Sequence, residues 1–170
     1  MRLEERLIQA GVVERKPVVL ASGQQSDVYI DVKKAYGDPS LLRELADGMI
    51  ELLGKDVTCV AGSDYGGLPL IAVMSARKNL KLTMVRKEQK GYGLRNQMEG
   101  YVPKEGDRVA VVDDVFTTGG SMLKIINVLA SQTNVEGAYV VVKRTEDEFL
   151  YKLNWLFTPK DFRENDRKIY

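Results

Sequence analysis

Residues 109–121 read VAVVDDVFTTGGS. An apolar run delivers two adjacent carboxylates, Asp113 and Asp114, and the turn Thr117-Thr118-Gly119-Gly120-Ser121 then leads into a helical pattern. Hydroxyls and backbone N–H groups at a helix start form an anion site, because the first amides have no intrahelical partner and the helix dipole favours negative charge. A phosphate monoester fits there, and Gly119 and Gly120 let the backbone come close to it or take positive φ. The carboxylate pair repels such a phosphate, so it must serve another part of the ligand, one that carries hydroxyls or a cation. A sugar phosphate meets both demands. The loop lacks the lysine of a nucleoside-triphosphate loop and the G-x-G-x-x-G spacing of a dinucleotide fold. The bland alternative is that Asp114 and Thr117 only cap the helix.

Three further places carry chemistry. SDYGG at 63–67 is a second loop between an apolar strand and a helix, with Tyr65, Gly66 and Gly67 at its centre; it also reads as a plain turn with Pro69 at the first helical position. Residues 86–100 are charged, glycine-punctuated and poor in core residues, and hold Arg86, Lys87 and Lys90. They read as a mobile lid over a site or as a solvated charged hairpin. Arg144 follows an apolar strand, where a guanidinium can grip a carboxylate through two parallel hydrogen bonds or pair with Glu146 or Asp147.

Composition narrows the chemistry. The chain has no histidine, which excludes imidazole general bases, Ser-His-Asp triads and histidine-bound zinc. Its one cysteine, Cys59, excludes an internal disulfide and reads as core in a reducing compartment. A net charge of +1 gives no reason to expect nucleic acid as a partner. Charges run through the N-terminal stretch MRLEERLIQAGVV and no apolar stretch approaches the ~20 residues of a membrane span, so a cytoplasmic chain with no membrane association is expected.

These residues need a scaffold to bring them together. The 170 residues suit one domain, 1–170, with one core. Leu3, Leu7 and Ile8 make one face of a first helix that Gly11 stops, and 39–53 predicts a second helix, capped by Asp38 or Ser40 and ended by Gly54. Between them, 18–31 reads as extended chain around a Ser22-Gly23 turn. Strands are expected at 57–61, 81–86, 109–112, 138–142 and 153–158, with helices from about Leu68-Pro69 to Lys78 and from Ser121 to about Ala130. The tail after FTPKDF reads as a short helix or frayed end. Continuous apolar strands joined by helices predict an α/β fold with a mainly parallel central sheet covered on both faces. Ligands of such sheets sit beyond the carboxyl ends of the strands, where 63–67, 113–121 and Lys143-Arg144 all fall.

At this level of detail the chain resembles a known family. VVDDVFTTGGS is similar to the phosphoribosyl pyrophosphate signature of the type I phosphoribosyltransferases. LASGQQSDVYIDVK at 20–33, GSDYGGLPL at 62–70, VRKEQKGYG at 85–93 and VVVKRTEDE at 140–148 resemble, in order, segments of the orotate enzymes of that family. The resemblance implies a type I phosphoribosyltransferase fold with a small N-terminal hood (1–35) and a mobile active-site loop (86–100), which in the family reaches the neighbouring subunit of a homodimer. It implies transfer of ribose phosphate to orotate in pyrimidine (UMP) biosynthesis, with Mg²⁺ held mainly by the substrate. Lys90, Asp113 and Asp114 would be catalytic, the two acids engaging the ribose hydroxyls and supporting the metal complex. Thr117, Thr118, Gly119, Gly120 and Ser121 would hold the 5′-phosphate. Tyr65, Gly66, Gly67, Arg86, Lys87 and Lys90 would serve the pyrophosphate, and Tyr29, Thr117 and Arg144 the base. The sequence departs from the family at Tyr92, where the loop carries histidine, and at Ala21, where many members carry lysine. Another base phosphoribosyltransferase and a non-catalytic sensor of phosphoribosyl pyrophosphate stay open as alternatives; Arg144 and the 22–31 segment speak against the first, and the retained loop cations against the second.

Overall fold

The computed structural model describes residues 1–19, 23, 25–86 and 97–163. Helix α1 (Leu3–Gln9) is followed by an antiparallel hairpin of β1 (Val13–Val19) and β2 (Gln25–Ile30), then by a 3-10 turn (Val32–Gly37) and α2 (Pro39–Leu52). Asp38 caps α2, its carboxylate accepting from the amides of Ser40 (2.8 Å) and Leu41 (3.3 Å), and Pro39 occupies the first helical position, where a missing N–H costs nothing. The helix ends on Leu53 in extended conformation, not on a left-handed Gly54 as the sequence suggests.

The main sheet contains β3 (Cys59–Gly62), β4 (Lys81–Val85), β5 (Met98–Gly100), β6 (Arg108–Phe116), β7 (Asn134–Lys143) and β8 (Leu153–Phe157), in the order β5-β4-β3-β6-β7-β8. All neighbours pair parallel except β4 and β5. Helices α3 (Asp64–Lys78) and α4 (Gly120–Leu129) are the crossovers after β3 and β6, and α5 (Pro159–Arg163) follows β8. Among the described residues no helix is long and apolar enough to cross a membrane.

Strand alternation divides the core in two. Val60, Ala110, Val112, Tyr139 and Val141 face one way and pack with Leu45 and Met49 of α2 and Leu70 and Met74 of α3. Their sequence neighbours Cys59, Ala61, Val109, Val111, Ala138 and Val140 face the other way and pack with Met122, Ile125, Ile126 and Leu129 of α4. A period of two with both faces covered explains why these strands read as unbroken apolar runs. Each fully buried Val, Leu, Ile or Met among them contributes roughly 1.5–3 kcal/mol.

Several boundaries differ from expectation. Helix α3 starts at Asp64, four residues before the predicted Leu68, so Tyr65, Gly66 and Gly67 form its first turn and Pro69 lies inside it. Strand β6 continues through Asp113 and Asp114 to Phe116, because pairing with β7 persists as far as Phe116 and Lys143. Strand β1 begins at Val13, within a stretch too charged to read as a strand from sequence. Met98–Gly100, part of the charged 86–100 segment, pair with β4.

Candidate active site

Two parallel neighbours in the sheet, β3 and β6, each feed a helix whose N-terminus has no side-chain cap. In α3 the first intrahelical bond runs from the Gly67 amide to the Ser63 carbonyl (3.2 Å), and in α4 from the Leu123 amide to the Gly119 carbonyl (2.9 Å). The amides ahead of them are the ones helix geometry leaves over for an anion. Capping of α4 by Asp114 or Thr117 is thereby ruled out: Gly119 is the N-cap, with φ of 77°. A Cβ there would lie 2.6 Å from the Phe149 ring and 2.8 Å from that of Phe116. Glycine is required on both counts.

Between the two helix starts stand the carboxylates. Asp113 Oδ1 accepts from the Asp114 amide and Asp114 Oδ1 from the Val115 amide, both at 2.9 Å. Asp114 is largely buried and Asp113 half-buried. A Cβ on Gly66 would fall 2.5 Å from Asp114 Oδ1 and 2.7 Å from Asp113 Oδ1, so the acids and the first turn of α3 share one space only because residue 66 has no side chain. Asp64 starts that turn with φ of 53°, a conformation that costs a non-glycine residue of order 1 kcal/mol. Lys33, Ser63, Asp64, Tyr65, Gly66, Asp113, Asp114, Val115 and Ser121 line one open cleft of about 490 Å³.

Two residues at this cleft were not singled out by sequence reasoning. Lys33 Nζ lies 2.9 Å from Asp31 Oδ1 and 3.1 Å from Asp114 Oδ2. Burial opposes its charge, but the adjacent Asp31 carboxylate and the attraction of Asp114 outweigh it and raise its pKa above the ordinary lysine range. Tyr36 donates its hydroxyl to the Gly66 carbonyl (2.8 Å). Burial first, then the charges of Asp114, Asp113 and Asp31, push this phenol well above the usual tyrosine range, so it stays a donor.

The base-side candidates meet one strand further along. Arg144 follows the last residue of β7, and its amide donates to the Phe116 carbonyl (2.9 Å). The next residue, Thr145, donates its hydroxyl to the Thr117 carbonyl (2.7 Å). The Arg144 guanidinium donates to the Val28 carbonyl of β2 (2.6 Å), while Glu146 lies near Lys160 instead (3.8 Å). Burial lowers the Arg144 pKa, partly countered by the neighbouring Tyr29. Tyr29 is half-buried, with Lys16 Nζ 4.9 Å from its ring centre. Arg144 and Tyr29 are not part of the cleft lining, but the Arg144 and Thr145 bonds fix their strand end beside the 117–121 turn. Thr118, Gly120 and Ser121 are exposed.

Arg86 is exposed at the end of β4 and paired with Glu99, its Nε and Nη2 lying 3.1 and 2.8 Å from one oxygen. Lys87, Lys90, Tyr92, Ala21 and Ser22 lie outside the described residues.

Two uncapped helix starts flank the paired carboxylates, so that amides able to meet anions stand on either side of oxygens able to accept from hydroxyls. A phosphoribosyl transferase domain model matches residues 35–163. The chain is 42% identical over 151 residues to orotate phosphoribosyltransferase of Methanothermobacter thermautotrophicus, covering 86% of this chain and 83% of that one. It is 41% identical over 149 residues to that of Thermococcus gammatolerans, covering 85% and 78%. Among solved structures, orotate phosphoribosyltransferase of Aeropyrum pernix superimposes with a TM-score of 0.86 at 38% identity, over 98% of this chain and 99% of that one. The chain belongs to the phosphoribosyltransferase family, and within it to the orotate phosphoribosyltransferases.

Proposed function

We propose that this chain transfers the phosphoribosyl group of phosphoribosyl pyrophosphate to N1 of orotate, releasing pyrophosphate and forming orotidine 5′-phosphate for pyrimidine synthesis. The observation that carries the reading is the placement of Asp113 and Asp114 between two uncapped helix N-termini, with Arg144 held one strand away. The amides and hydroxyls of 117–121 take the 5′-phosphate. The first turn of α3, with Tyr65, Gly66 and Gly67, takes the pyrophosphate, joined by Arg86 after it exchanges Glu99 for the ligand. Lys87 and Lys90 supply further positive charge by family resemblance.

Asp113 and Asp114 accept hydrogen bonds from the ribose hydroxyls and favour the positive charge that develops at the ribosyl carbon as pyrophosphate leaves. Arg144 grips the orotate carboxylate, with Tyr29 and Thr117 beside the base, so that N1 is held at the ribosyl carbon as its bond to the leaving group weakens. The donor set suits Mg²⁺ held mainly by substrate, with Asp113 and Asp114 offering oxygens. Bound there, the ion would neutralise phosphate charge and strengthen pyrophosphate as a leaving group. The reading includes one domain with the hood formed by 1–35, a homodimer with the 86–100 loop shared across subunits, and a cytoplasmic location.

The test is loss of orotate absorbance on mixing protein with orotate, phosphoribosyl pyrophosphate and Mg²⁺, with uracil and purine bases in parallel. Orotate-dependent turnover that Arg144→Ala removes is expected. Turnover with another base alone, or binding of phosphoribosyl pyrophosphate without turnover of any base, would overturn it.

A further inference from the structure

The 3-10 turn between the hairpin and α2 has a stripe arrangement set by its period of three. Val32 and Ala35 are fully buried, and the next pair along, Lys33 and Tyr36, both reach the cleft walls from outside either motif loop. Lys33 meets Asp114 Oδ2 at 3.1 Å, and Tyr36 meets the Gly66 carbonyl at 2.8 Å. One short turn therefore holds both the carboxylate wall and the α3 wall.

We infer that Lys33 is a positioning residue for the ribose-binding carboxylates: its ammonium, steadied by Asp31, fixes Asp114 in the orientation that receives the ribose. The inference rests on the reading that Asp113 and Asp114 face ribose. Asp114 is largely buried next to a second acid, and a buried carboxylate with a like charge beside it is costly unless a cation faces it. Its Oδ1 is committed to the Val115 amide (2.9 Å) and its Oδ2 to Lys33. The two contacts from different elements fix both ends of the carboxylate, and removing Lys33 leaves only the local one. The contact joins residues 81 apart in the chain, so it also ties the N-terminal segment to the catalytic strand. Lys33 acts through Asp114, and the ribose sees its effect as a correctly placed acceptor.

A double-mutant cycle on the full chain tests this, using Lys33→Gln, Lys33→Arg, Asp114→Asn and the Gln/Asn double variant. Affinity for phosphoribosyl pyrophosphate with Mg²⁺ is read by calorimetry, and KM for each substrate by steady-state assay. Lys33→Gln should weaken phosphoribosyl pyrophosphate about tenfold while leaving KM for orotate within about twofold, and Lys33→Arg should recover most of the loss. In the Asp114→Asn background Lys33→Gln should add less than about twofold. Independent, multiplying losses would mean that Lys33 touches the substrate itself, and equal rises in both KM values with a lowered Tm would mean a structural role; either overturns the inference. Calorimetric binding needs no base, so a wild type that binds but leaves orotate unchanged sinks the orotate reading and leaves the Lys33 result standing.

Discussion

Gly66 and Asp114 occupy touching positions: a Cβ on the glycine would stand 2.5 Å from the Asp114 Oδ1. The start of α3 and the Asp114 carboxylate, which the proposed function assigns to one end and the middle of the ligand, are therefore set close together. Gly66→Ala must move the carboxylates or the first turn of α3. It is expected to lower kcat/KM for phosphoribosyl pyrophosphate by about 100-fold, since a displacement of about 1 Å at reacting groups has an effect of that size. Steady-state kinetics with a circular dichroism control would check it, and a fully active variant would mean that the site tolerates rearrangement.

Arg144 is held by the Val28 carbonyl at 2.6 Å, so a flexible ammonium is a poor substitute for its planar fork. Arg144→Lys should behave much like Arg144→Ala: KM for orotate rises by about 30-fold or more, and KM for phosphoribosyl pyrophosphate by much less. Recovery of orotate affinity in the lysine variant would show that charge alone suffices.

Gly119 combines positive φ with the two phenyl rings packed against it. Gly119→Ala should destabilise the chain by about 1–3 kcal/mol and raise KM for phosphoribosyl pyrophosphate, because the phosphate turn has to move off Phe116 and Phe149. Thermal melts and initial rates together would distinguish this from a purely local change.

Asp107 sits at the opposite end of the sheet, accepting from Lys81 (2.8 Å), the Tyr101 hydroxyl (2.7 Å), the Thr58 hydroxyl (2.9 Å) and the Lys104 amide (2.9 Å). Burial opposes its charge, but Lys81 and the other donors outweigh it and hold the carboxyl well below its usual range. A depressed folded pKa gives stabilisation that is complete above the unfolded value near ~3.9 and is lost as pH falls toward the folded one. Asp107→Ala should cost about 2 kcal/mol at neutral pH by removing the charge-assisted hydrogen bonds that this buried carboxylate accepts. The gap from wild type should narrow below about pH 4 in denaturant titrations. A gap that widens in acid would contradict the assignment.

How much of this was legible beforehand depended on whether the signal was local. The doubly buried strands at 57–61, 109–112 and 138–142 announced a parallel sheet, and the DDVFTTGGS run announced two acids ahead of a glycine-led helix start. What stayed hidden was set by distant partners. Glycines 66 and 67 with Pro69 look like a turn, and only packing against Asp113 and Asp114 shows that this segment is already helix. Met98–Gly100 is too short and polar to stand out, and becomes a strand because β4 offers an unpaired edge. Lys33 and Tyr36 carry no local pattern; their relevance lies in Asp114 and Gly66, which the fold alone brings to them. The roles of Lys87 and Lys90 rest on resemblance.

The short antiparallel strand β5 has a consequence for how this molecule can be altered. The Arg86 amide bonds to the Gln97 carbonyl at 2.8 Å, and β5 continues that pairing along β4 to Gly100. Arg86 and Gln97 thus meet at one closed junction. Lengthening a chain segment between fixed ends costs only about 0.6 kcal/mol per doubling. A change in chain length between Arg86 and Gln97 therefore leaves the β4–β5 junction closed and the sheet in register.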